Sequence, residues 1–198
     1  MLEMSISGRA PVCLLIVIAC TCICGCIGIA PQSEAAHSTG GGIVDVSTPL
    51  VPQKYGLDEA LTELDMSIAE GAVQNCTDDF EIHQVMGALV DPDGCAASWL
   101  LGGRSENASV WLVYGRSGWS EVQLGVPVPD GCIRVETIIL PAELFEQHHT
   151  LIRDAMLRHG TETVDLALTR GTYEITLRSI SGGIEVLTFS AESGEVLP

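Results

Sequence analysis

The chain has 198 residues, 46% of them hydrophobic, and 26 acidic against 9 basic residues give it a formal net charge of −17. That charge excludes nucleic acid as a partner: phosphate is repelled, and no basic stripe offsets the field, with Lys54 the only lysine. Enough Leu, Ile and Val lies beyond the N-terminal stretch to pack a core, which excludes disorder throughout.

Residues 1–30 read as a signal peptide or membrane anchor. Arg9 precedes the apolar run Val12–Ala30, a basic region followed by an apolar one, which is the pattern of export. The run also approaches the ~20 apolar residues that cross a bilayer as a helix. Cys20, Cys22, Cys24 and Cys26 close it, and Val17-Ile18-Ala19-Cys20 and Ile23-Cys24-Gly25-Cys26 each set a small residue before a cysteine. Both resemble the lipobox of prokaryotic lipoproteins, in which that cysteine receives the lipid. Cys26 is the preferred position, since Cys20 would leave a short apolar region and an Ile27-Gly28-Ile29 tail on the mature chain. An uncleaved anchor and a conventionally cleaved signal stay open. A metal cluster is disfavoured, because its thiolates would sit among isoleucines in a bilayer.

Residues 31–54 contain Ser38-Thr39-Gly40-Gly41-Gly42 and several prolines without a clear period, so they read as a flexible spacer. Two sequons agree with export: Asn75-Cys76-Thr77 and Asn107-Ala108-Ser109, the second lying in an expected turn.

Residues 55–120 read as a first helix–strand–strand–strand unit. Leu57, Ala60, Leu61, Leu64 and Ile68 share one helical face, with Asp58 and Glu59 in the first turn and Gly71 near the end. Strands are expected over Phe80–Val90, Ala96–Leu101 and Ser109–Gly115, with turns at Asp91-Pro92-Asp93-Gly94, Gly102-Gly103 and Ser105-Glu106-Asn107. Trp99, Trp111, Tyr114 and Trp119 fall in or beside the second hairpin. They offer either an exposed platform for a peptide or glycan, or a core beneath the helix.

Residues 121–140 form a crossover with a strand expected at Ile133–Leu140, and Pro129-Asp130-Gly131-Cys132 repeats Pro92-Asp93-Gly94-Cys95. Residues 141–198 read as a second unit of the same order. A helix begins at Pro141 and ends with Arg158, His159 and Gly160, a natural cap. Strands follow at Thr163–Thr169, Thr172–Ser179 and Ile184–Ala191. The expected fold class is therefore α+β, two units each with a helix on an antiparallel sheet.

Tyr173-Glu174-Ile175-Thr176-Leu177 and Phe189-Ser190-Ala191-Glu192-Ser193-Gly194-Glu195-Val196-Leu197 resemble the PepSY domain family, with Ser193 where threonine is usual and Ser190 where aspartate is usual. The resemblance covers Ala142–Pro198 in motif and Leu57–Trp119 only in element order. It implies a helix-and-sheet fold and a protein-binding module, peptidase inhibition or regulation being proposed for the family. It carries over no catalytic residue. The layout of tandem helix-on-sheet units is also similar to that of β-lactamase inhibitor protein.

No esterase, zinc-peptidase or phosphate-loop motif is present, so the expected class is not an enzyme, with neither cofactor nor metal. His83 reads as structural, and Glu143, Glu146, His148, His149 and His159 read as a polar helix edge rather than ligands, since His148 and His159 lie three turns apart. Of Cys76, Cys95 and Cys132, two are expected to pair and one to be left over; the sequence does not choose between the pairings, and the matching turns make Cys95 with Cys132 the candidate. Two functions are expected: a membrane-tethered extracytoplasmic inhibitor or regulator of an envelope peptidase, which only the PepSY resemblance implies, or a structural or accessory envelope lipoprotein.

Overall fold

The computed structural model describes residues 53–106 and 108–198. The leader with Cys26, nearly all of the spacer, and Asn107 lie outside the described residues.

Tyr55 stands just before the first helix. It forms a two-way backbone bridge with Ala96 (2.9 and 3.0 Å), and its carbonyl accepts the Trp99 indole N–H at 2.9 Å. Helix α1, Leu57–Ala69, follows, burying Leu57, Ala60 and Leu64 on the face that the apolar spacing predicts. Strands β1 (Glu81–Val90), β2 (Ser98–Ser105), β3 (Ala108–Gly115) and β4 (Gly118–Glu121) then run antiparallel. Helices α2 (Pro141–Gln147) and α3 (His149–His159) precede β5 (Val164–Thr169), β6 (Thr172–Arg178), β7 (Ile184–Ser190) and the short β8 (Val196–Leu197).

The fold is α+β, with three α-helices and one eight-stranded antiparallel sheet of order β4-β3-β2-β1-β5-β6-β7-β8. The two runs of strands do not build separate sheets: β1 pairs with β5, Val85 opposite Leu168, and joins them. The core lies between the sheet and the helices. Trp99, Leu101, Leu112 and Tyr114 meet α1 residues there, and Leu166, Tyr173, Ile175 and Phe189 meet Leu144, Phe145 and Ile152 of α2 and α3.

Several elements differ from the sequence reading. Residues 133–140 do not form a strand. They make single backbone bonds, Ile133 N–H to Ile82 and Ile139 N–H to Ala191, around a short 3₁₀ turn at Val135–Thr137. Their isoleucines contact the core, but the segment bridges two parts of the sheet instead of lying beside one strand. The expected single helix from Pro141 is interrupted at His148 (φ −111°, ψ 22°), whose ring turns aside to bond the Gly194 carbonyl at 2.7 Å and packs on Phe189 with centroids 4.9 Å apart. Gly160 caps α3 in the left-handed conformation, as the sequence indicates.

Gly102 and Gly103 are not a turn; they lie inside β2. A Cβ on Gly102 would stand 2.6 Å from the Trp111 ring, and one on Gly103 would overlap Phe80. The glycines make room for aromatic rings on opposite faces of the strand.

Candidate functional site

Side chains alternate between the two faces of a sheet. Val85, Trp99, Leu101, Leu112, Tyr114, Leu166, Leu168, Tyr173, Ile175 and Phe189 all point toward the helices. The residues between them form the opposite face. Met86 of β1, Leu100 of β2, Val113 of β3 and Ala167 of β5 stand at its centre and line a groove of about 480 Å³, with Asp165, Thr176 and Arg178 along one side. Met86 remains 38% exposed, and farther out Val186 and Ile184 of β7 are 49% and 64% exposed. No described helix covers this face.

Of the two arrangements open to Trp99, Trp111, Tyr114 and Trp119, an exposed platform or a core, the exposed platform is not the one found. Trp99 is wholly buried and Tyr114 nearly so, both in the core. Trp119 is part-buried, its indole N–H donating to the Ala60 carbonyl of α1 at 2.7 Å, and it packs on Tyr114 with ring centroids 5.1 Å apart. The Tyr114 hydroxyl donates to Glu63 Oε2 at 2.6 Å, and burial first, then that carboxylate, pushes its pKa up. Trp111 is buried outside this core, against Gly102, with its N–H on the Val126 carbonyl at 3.1 Å. Each indole N–H thus ends on a backbone carbonyl, which lets a large aromatic be buried without leaving a donor unpaired. The residues that do face outward, Met86, Leu100 and Val113, have no sequence signature beyond being apolar between core positions.

The sequon at Asn75 is tied down. Its backbone and side-chain N–H groups donate to the two oxygens of Glu121 at 2.7 and 2.6 Å. The Thr77 hydroxyl donates to Asp79 and lies 2.6 Å from the Ser105 hydroxyl. The Thr77 hydrogen bond, aided by Ser105, holds the Asp79 carboxyl below its usual range against a smaller opposing effect of burial.

Cys95 and Cys132 are not joined; they and Cys76 are all free thiols. Asp91 N–H bonds the Cys95 carbonyl just past the C-terminal end of β1, whereas Ile133, the neighbour of Cys132, bonds Ile82 near its start. A strand rises ~3.3 Å per residue, so the length of β1 keeps the two far beyond the ~7 Å limit for a disulfide. Cys132 is exposed, while Cys76 is buried, and burial together with Glu121 pushes its pKa up to about 11. A maleimide should therefore label Cys132 well before Cys76, whose modification should follow the rate of unfolding. Peptide mapping of a labelling time course checks this, and early modification of Cys76 would contradict its burial.

The polar helix edge disperses into separate contacts. His159 and Arg158 both reach Glu185 of β7, at 2.8 and 2.7 Å. Burial raises the Glu185 pKa, but those hydrogen bonds outweigh it and hold the carboxyl below its usual range. Glu146 and His149 line a cavity of about 820 Å³ whose floor includes Phe145, Ile152 and Met156. Among the described residues no group of three or more His, Cys, Asp or Glu is placed to hold a metal ion. His83 is buried beside Glu81, its Nε2 3.8 Å from that carboxylate. No described helix is long and apolar enough to cross a membrane.

Comparison with protein-family models, with curated proteins and with solved structures finds no match to this chain.

Proposed function

We propose that the chain is an extracytoplasmic, membrane-tethered binding module that works through the uncovered face of its sheet, with an envelope peptidase or its precursor as partner. The observation that carries the binding reading is the groove around Met86, Leu100 and Val113, an apolar centre left open on a sheet whose other face carries the packed core. The tether rests on the apolar leader and the lipobox-like Cys26. The peptidase rests on the PepSY resemblance of the terminal strands. On this reading the helix–strand–strand–strand order occurs twice, as α1 with β1–β3 and as α2–α3 with β5–β7, and the two units share one sheet.

The test is cross-linking of the full-length chain in its native envelope, beside a variant carrying Met86→Glu and Leu100→Glu. Both substitutions place carboxylates on the outward face, and thermal melting verifies that the fold survives. A peptidase attached to the parent chain, with a yield about tenfold lower for the variant, is the expected result; that drop corresponds to ~1.4 kcal/mol of binding. Self-links or bulk envelope material alone would replace peptidase control with an accessory lipoprotein. An unchanged yield from the variant would remove the sheet face as the site.

A further inference from the structure

β7 pairs with β6 along its whole length, from Arg178 opposite Ile184 to Thr172 opposite Ser190, without a register shift. On its other side β8 covers only Thr188 and Phe189. Ser190 N–H points to that outer side, donating to the Glu195 carbonyl at 2.8 Å, whereas Ala191 N–H points inward to the Gly171 carbonyl at 2.8 Å. Hydrogen-bonding direction alternates along an antiparallel strand. Val186 and Ile184 share the parity of Ser190, so their N–H and C=O groups turn outward, where no described strand meets them.

Exposed edges are normally protected by charges, prolines, bulges or covering segments. Here the free stretch is Ile184-Glu185-Val186-Leu187. Its one charge, Glu185, lies on the helix side and is held by Arg158 and His159. The side chains of Ile184 and Val186 stand on the same face as the open groove, so edge and face are continuous.

We infer that the outer edge of β7 receives an extended, cationic peptide segment as a ninth strand, in line with β8. This rests on the binding reading above and names the chemistry of the partner. Backbone pairing at Val186 and Ile184 would supply the hydrogen bonds, and apolar residues at alternate positions of the guest would cover those two side chains. The charge selects among possible strands. A second copy of the chain would bring −17 against −17, and Glu192 and Glu195 are exposed in the turn joining β7 to β8, so a basic guest is attracted and a copy is repelled.

The test uses the full-length chain in detergent with a synthetic peptide of alternating lysine and valine. A matched peptide carries N-methyl groups on the residues whose N–H would face β7, which keeps the charge and removes the donors. The expected result is saturable binding, about tenfold weaker for the methylated peptide, with slowed hydrogen exchange at the Ile184 and Val186 amides. Equal affinity of the two peptides would reduce the contact to charge alone and overturn strand addition. So would protection confined to Met86 and Leu100, or a dimer protected at Ile184 and Val186 without peptide. Failure of the peptide alongside a peptidase cross-link lost on Met86→Glu and Leu100→Glu would sink the edge but leave the open face standing. A cross-link insensitive to those substitutions would sink the face whatever the peptide does.

Discussion

Trp99→Ala should destabilise the domain by about 3–5 kcal/mol, the range for removing a large buried aromatic, and lower its melting midpoint by roughly 10 °C. Trp99 is fully buried, is flanked by core residues from α1 and the neighbouring strands, and binds the Tyr55 carbonyl. The substitution therefore opens a cavity and removes one of the two hydrogen bonds to the Tyr55 carbonyl, leaving only the Ala96 N–H on it. Net stabilities of domains are about 5–15 kcal/mol, so this one side chain represents a large part of the total. Trp99→Phe separates the two contributions: most of the volume returns, and the missing hydrogen bond should leave a deficit of about 1–2 kcal/mol. Urea titration of the three proteins checks the order. A loss under 1 kcal/mol for alanine would mean that Trp99 is not packed as described.

Gly94→Ala is expected to have the second-largest effect, on the order of 2–4 kcal/mol from backbone overlap and a left-handed φ together. Gly94 has φ +78°, and a Cβ there would stand 2.7 Å from both Cα and N of Ala142, backbone atoms at the start of α2. They can move only if α2 moves. Gly131, at the matching place in the other Pro-Asp-Gly-Cys tetrad, has φ +105° but a Cβ there would be close only to Cγ of Arg170, at 3.3 Å, with the Arg170 Cα at an ordinary contact distance of 3.9 Å. A flexible side chain can yield, so Gly131→Ala should cost about 1–2 kcal/mol, the conformational part alone. Denaturant midpoints compare them, and an equal loss at both sites would remove the helix contact from the explanation.

The contrast between the tetrads also shows where sequence reading stops. Both spell the same turn, and both glycines take positive φ. What each turn touches is settled by residues far away: Ala142 for one, while in the other Asp130 accepts from Arg104 at 2.8 Å and its carbonyl accepts from Arg170 at 3.3 Å. The stripe of Leu57, Ala60 and Leu64, the Gly160 cap and the terminal hairpin were legible because their signals are local: spacing, cap chemistry and alternation. The glycine pair in β2 misled because a turn signal and a socket for an aromatic ring are spelled alike. The break at His148 was hidden because the partner of its ring, the Gly194 carbonyl, lies in the turn after β7. Least legible was the candidate surface, since Leu100 and Leu101 look the same in sequence while only one of them faces the core.

The pairing of β1 with β5 bears on how the protein is made. When the chain emerges from its N-terminus, β1 to β4 can assemble in turn, but the partner that closes β1 on its other side begins only at Val164. Through that interval the strand destined for the middle of the sheet is a temporary border, with Val85 and Leu101 lacking the second half of their core. Long-range pairing of this kind slows folding and exposes sticky intermediates. The nascent protein thus passes through a stage in which its centre is its most vulnerable margin, and a holding chaperone would act on β1 before Val164 arrives.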